Sequence, residues 1–195
     1  YLQYLKPGGT LAAALPPAVA NAEALLPPFK RMLFVRTFDT KAIALQRTGK
    51  LGTYAACLGH EATHVGIGAS MQPEDVFAPS YREYGAQFER GVKPRDVLMY
   101  WGGDERGNDF EIPRNDYPWC VPISTQCLMA SGAALAFKLR GENRVAVATC
   151  GDGGSSKTDF YAAINSAGAF SLPLVLCVIN NGWAISVPRK AQTGA

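Results

Sequence analysis

Met32, Val35, Phe38, Ala42 and Leu45 recur at every third or fourth position, which predicts an amphipathic helix that Pro28 starts and Gly49 stops. Residues 1–28 carry Pro7, Pro16, Pro17, Pro27 and Pro28 and predict an extended N-terminal arm that packs on something else. A second helix is expected over about Glu61 to Met71. A short strand follows over Val76 to Ala78, then short helices over Tyr84 to Glu89 and Arg95 to Tyr100, separated by Gly91 and Pro94. Residues 102–118 are polar and turn-rich, a long loop of the kind that usually carries function. Leu128, Gly132, Leu135, Ala136 and Leu139 predict another helix, whose small residues Gly132, Ala133 and Ala136 permit a neighbour to approach closely.

Beyond residue 144 the pattern changes. An apolar strand over Val145 to Thr149 runs into a Gly-rich turn, a helix over about Lys157 to Ala169, a strand over Leu174 to Ile179 and a second turn. Apolar runs alternating with helices imply βαβ units and a parallel sheet. The fold class expected is therefore α/β, a doubly wound and mostly parallel sheet over residues 29–195, incomplete as it stands because such a sheet would continue past Ala195. In these sheets ligands sit beyond the carboxyl ends of the strands, where both turns fall. One shared site is the consequence.

Composition narrows the class. With 48% hydrophobic residues the chain can bury a sizeable core, and the net charge of +3 comes from scattered Lys and Arg, so no nucleic-acid footprint stands out. No apolar run is long enough to span a membrane. The five cysteines (Cys57, Cys120, Cys127, Cys150 and Cys177) lack C-x-x-C spacing and lie among apolar residues, which predicts reduced thiols in an intracellular compartment.

The two turns carry the candidate chemistry. Asp152 offers a hard carboxylate oxygen, Asn181 an amide oxygen and the chain after it backbone carbonyls, a set that suits magnesium rather than zinc. Gly153 and Gly154 let backbone N–H groups approach a diphosphate where a helix begins. Taken singly, each stretch also reads as an ordinary turn, with Asp152 as a helix cap. Their joint spacing, G-D-G then N-N across residues 154–179, points to more.

That spacing resembles the fingerprint of thiamine-diphosphate enzymes. KRMLFVRTFDTKAIALQRTGK, GHEATHVGIGA, PSYREYGAQFERG, VPISTQCLMASGAALAFK and GDGGSSKTDFYAAINSAGAF resemble the alpha subunit of the decarboxylating component of 2-oxo-acid dehydrogenase complexes. The resemblance implies Asp152 and Asn181 as side-chain ligands of magnesium, with Trp183 giving a backbone carbonyl. It implies Gly153, Gly154, Tyr81 and Arg82 at the diphosphate, and the backbone of Val121 and Ile123 at the aminopyrimidine ring of thiamine diphosphate. It further implies a beta subunit that supplies the activating glutamate in an assembly of two alpha and two beta chains. A lipoyl-bearing acyltransferase and pyruvate, or a branched-chain 2-oxo acid, complete the expected partners. The cytoplasm is the expected location in a bacterium, the mitochondrial matrix in a eukaryote. Ile179 departs from the polar or charged residue usual before the asparagines, and the family's active-site histidine falls past Ala195.

Two rival readings have their own motifs. His60-Glu61-Ala62-Thr63-His64 spells H-E-x-x-H, the pattern of a zinc hydrolase with Glu61 as base and Glu83 or Asp104 as third ligand. Against it, Glu61 is expected to be a buried hydrogen-bonding or capping group. A non-catalytic nucleotide-binding module would use GDGG as a phosphate loop, but G-x-x-x-x-G-K-[ST] and G-x-G-x-x-G are missing.

Overall fold

The structure is a computed structural model and describes residues 2–192. Helix α1 spans Ala22–Arg47 and so starts before Pro28, with Pro27 and Pro28 inside it. The segment before it is shorter than the prolines suggest and is not wholly extended, with a turn closed by the Leu5–Leu11 bridge and a 3-10 helix over Pro17–Val19. Asn21 sets the start, its side chain accepting the Glu23 N–H and so capping one of the unpaired amides of the first turn.

The chain continues through α2 (Glu61–Ser70), β1 (Val76–Ala78), α3 (Tyr84–Arg90), α4 (Pro94–Trp101), α5 (Thr125–Arg140), β2 (Ala146–Gly151), α6 (Thr158–Phe170) and β3 (Leu174–Ile179). A small hairpin of β4 (Trp183–Ala184) and β5 (Val187–Pro188) precedes α7 (Arg189–Gln192). Strands β1, β2 and β3 form one parallel sheet in that order. The continuation of the sheet past Ala195 lies outside the described residues.

Period-two alternation in β2 sends side chains to both faces of the sheet. Ala146, Ala148 and Cys150 face α5 and α6, meeting Ala130, Ala134, Phe160 and Ala163. Phe77 and Val147 face the other way, against Ala86 of α3 and Ile67 of α2. Helices thus cover both faces, which is the doubly wound arrangement, and β2 is buried along all but its last residue. A second core joins α1, α2, α3 and α4 through Val35, Val65, Tyr84, Phe88 and Val97. Among the described residues no helix is long and apolar enough to cross a membrane. All five cysteines are free thiols, four of them buried.

The long loop over 102–118 turns out to be structural. Arg90 and Asp116 form an ion pair with side chains only 4% and 2% exposed, and the Phe77 N–H donates to Asp116 Oδ1 at 2.9 Å. The loop thereby fastens α3 to β1, and none of its residues lines the site described next. Of the small-residue face on α5, Ala133 packs partly into the core while Gly132 is exposed with open space around it.

Candidate functional site

The register of β2 against β3 sets the geometry. Gly151 is the ladder partner of Ile179, so the chains leave the sheet side by side, one into Asp152 and the other into Asn180 and Asn181. The turn after β2 is a 3-10 stretch, Asp152–Ser156, that leads into α6. A cavity of about 570 Å³ opens at these strand ends. Tyr81, Arg82, Ile123, Gly153, Gly154, Asn181 and Trp183 all line it, although they come from four separate stretches of sequence.

Val121 does not join them. It is exposed and is not among the residues that line the cavity.

Asp152 is 4% exposed, and neither carboxylate oxygen has a hydrogen-bond partner. An unpaired carboxylate taken from water costs several kcal/mol unless a cation compensates it. Gly151 and Gly153 on either side of it both line the cavity. The position therefore fits a metal ion, and hard oxygen donors select magnesium over zinc. Asn181 lies on the neighbouring turn, its Oδ1 accepting the Trp183 N–H at 2.9 Å. That bond fixes the amide and leaves a second lone pair free.

The glycines are required by close approach. A Cβ on Gly153 would stand 2.6 Å from the Ala184 Cβ, so the turn packs directly against the β4–β5 hairpin. One on Gly154 would stand 2.5 Å from Ser124 Oγ, which donates to the Gly154 carbonyl at 2.8 Å. Gly153→Ala is expected to force the two turns apart, lowering stability by about 1 to 3 kcal/mol, the usual cost of overpacking. Chemical denaturation of the cofactor-free protein checks it, and an unchanged midpoint would show that the hairpin does not rest there.

Arg82 and Tyr81 reach the cavity from the loop before α3. The Arg82 guanidinium lies 5.1 Å from the centroid of the Tyr81 ring and donates from Nη1 to the Ala56 carbonyl at 2.7 Å. Glu83 Oε2 accepts the Arg82 backbone N–H at 3.2 Å. Glu83 is 2% exposed, and burial raises its carboxyl above the usual range. It lines the cavity, as do Ser124, Gln126 and Lys157, none of which the motifs singled out as part of this site. Gln126 donates from Nε2 to the Thr149 carbonyl at 2.6 Å, and its Oε1 is buried without a partner. It is the second residue of α5, beside Ser124 and Thr125, and nothing in that polar helix start marks it out. Ser124 has a positive φ of 64°, which no sequence pattern announces.

The H-E-x-x-H stretch is not a zinc centre. Glu61 is held by Arg36 at 2.5 Å and by the Gly59 N–H at 3.0 Å, and the Arg36 hydrogen bond keeps its carboxyl below the usual range. It is the buried hydrogen-bonding group expected, not a free base. His64 is fully buried, and desolvation followed by the nearby His60 lowers its pKa to about 3. His60 lines the cavity, its pKa lowered by burial and then by Arg82. Among the described residues no three His, Cys, Asp or Glu side chains gather as a metal group.

Residues 29–195 match the model of a family described as "Dehydrogenase E1 component". The chain belongs to this family. Within it, the pyruvate dehydrogenase E1 component subunit alpha of Acholeplasma laidlawii is 41% identical over 171 residues, covering 87% of this chain and 50% of the relative. The 3-methyl-2-oxobutanoate dehydrogenase subunit alpha of Mycobacterium tuberculosis is also 41% identical, over 86% of this chain and 46% of its own. The Staphylococcus aureus pyruvate dehydrogenase E1 component subunit alpha is 37% identical over 89% and 47%. The chain thus spans about half the length of these E1 relatives.

Proposed function

We propose that this chain forms the diphosphate- and metal-binding half of the active site of a 2-oxo-acid dehydrogenase, acting as an alpha subunit. The observation that carries the reading is Asp152: a buried carboxylate with both oxygens unpartnered, one residue past the Gly151–Ile179 ladder pair at the carboxyl end of a central parallel strand. Its place in an E1 family supports it.

In this reading Asp152, Asn181 and the Trp183 carbonyl hold magnesium. Arg82, Tyr81 and the backbone amides of Gly153 and Gly154 bind the diphosphate of thiamine diphosphate, and Ile123 packs against its ring. Bound there, thiamine diphosphate supplies a carbanion nucleophile and an electron sink for decarboxylation. What this chain contributes is position and charge, by fixing the diphosphate at the strand ends.

The remaining requirements come from partners. The proposed assembly pairs two alpha with two beta chains, a beta glutamate activates the cofactor, and the acyl group passes to a lipoyl-bearing acyltransferase. The substrate is pyruvate or a branched-chain 2-oxo acid, since alpha subunits of both types match at the same identity.

Calorimetry of the full-length protein tests the binding step, with magnesium-dependent affinity for thiamine diphosphate expected and none for ATP or NAD. The alpha chain alone is expected to leave pyruvate and branched-chain 2-oxo acids intact, and added beta chain to start decarboxylation. Steady turnover by the isolated alpha chain would show that it carries its own activating carboxylate and would overturn the two-subunit reading.

A further inference from the structure

Charge balance around the cavity raises a question that the residues assigned so far do not answer. A diphosphate ester near neutral pH carries about three negative charges, and Asp152 adds a fourth. Magnesium cancels two and Arg82 one, so the site is left one positive charge short. Arg82 is not wholly free either, because one arm of its guanidinium already donates to the Ala56 carbonyl. Of the other titratable groups on the wall, His60 has its pKa lowered by burial and then by Arg82. Glu83 is acidic, and Ile179, at the end of β3, offers only hydrocarbon.

Lys157 is the other strong cation on the cavity wall among the described residues. It stands at the N-cap of α6, directly after the 3-10 turn that carries Gly153 and Gly154. Its backbone N–H is tied to the Gly154 carbonyl at 3.0 Å, which fixes its backbone against the turn proposed to bind the diphosphate. The side chain itself is exposed, and among the described residues no carboxylate claims its ammonium. The amide dipoles at the start of α6 favour an anion at the same place.

We propose that Lys157 is a diphosphate-binding residue, a second cation beside Arg82 on the cavity wall that completes neutralisation of the cofactor's anionic end. This rests on the thiamine diphosphate reading above. Lysine suits the role as a mobile point charge, whereas Arg82 is held by its carbonyl partner and by Tyr81.

The test is calorimetry on the full-length protein in its native assembly with magnesium, titrating thiamine diphosphate and, separately, inorganic pyrophosphate. Lys157→Met, which keeps the aliphatic stem, is expected to weaken both ligands about tenfold or more, the range for a hydrogen bond to a charged group. It should also flatten the dependence of affinity on salt. Lys157→Arg should restore most of the affinity and Lys157→Gln should not. The exposed position makes unfolding of these variants unexpected, and matched thermal midpoints without ligand verify that. A parent that binds thiamine diphosphate while Lys157→Met and Lys157→Gln bind equally well, with the same salt slope, overturns this inference alone. A parent that binds no thiamine diphosphate overturns it together with the cofactor reading.

Discussion

Asp152→Ala is expected to abolish magnesium-dependent binding of thiamine diphosphate while leaving the cofactor-free protein as stable as the parent or more so. The two effects have opposite signs because they come from the same feature. In the free protein the carboxylate is buried with neither oxygen hydrogen-bonded, a state that costs several kcal/mol and that alanine relieves. On the proposed reading, the same oxygens offset that cost in the loaded protein by coordinating a divalent cation. Loss of groups that only support a metal ligand lowers affinity by about 10- to 100-fold, so loss of a ligand should exceed about a hundredfold. Thermal unfolding with and without magnesium and thiamine diphosphate reads both effects at once. A parent stabilised by the pair, beside an alanine variant that is not, is the expected pattern. Equal stabilisation of the two proteins would remove Asp152 from the metal site.

Asp116→Ala is expected to be the most damaging change outside the site. Arg90 donates to both oxygens of Asp116, at 2.5 and 2.8 Å, and to the carbonyls of Gln72 and Asp75, at 3.1 and 2.6 Å. Removing the carboxylate strands a guanidinium whose side chain is 4% exposed and leaves the Phe77 N–H of β1 without its acceptor. Breaking a buried pair from one side costs about 3 to 5 kcal/mol, a large share of the stability of a typical domain. Urea denaturation should show the midpoint falling with an unchanged slope. The double replacement Arg90→Met with Asp116→Leu should recover part of the loss, since it removes both charges. A single variant that loses less than about 1 kcal/mol would mean that water reaches Arg90 and that the loop is not pinned as described.

Much of the site was legible because its chemistry sits in short, local signals. The strand-turn-helix pattern at residues 145–169 and the second turn at Asn180-Asn181 point to the candidate site, and the Gly151–Ile179 pairing puts the two turns side by side. Parallel strands can place consecutive turns together only at their carboxyl ends. Residues that lacked a local signal were missed. Ser124 reads as an ordinary hydroxyl, and Lys157 as one more scattered cation. The prolines at 27 and 28 suggested a helix start that Asn21 provides instead, because a cap satisfies the unpaired amides at a helix start that a proline further along cannot reach.

The sequence by itself determined the alternation of strands and helices, the parallel α/β class and an acidic, glycine-rich turn at the end of a strand. These follow from periodicity and from residue chemistry, which do not depend on distant neighbours. Only the tertiary structure decided which residues meet. It set Gly151 opposite Ile179 in the ladder, pressed Gly153 against Ala184 and Gly154 against Ser124, and left Val121 out of the cavity lining. It gave the polar loop over 102–118 a structural duty through Asp116, and it removed the H-E-x-x-H stretch from metal chemistry by pairing Glu61 with Arg36. The physical reason is the same in each case. Burial and pairing are properties of the space between elements, and that space is defined only once the elements have packed.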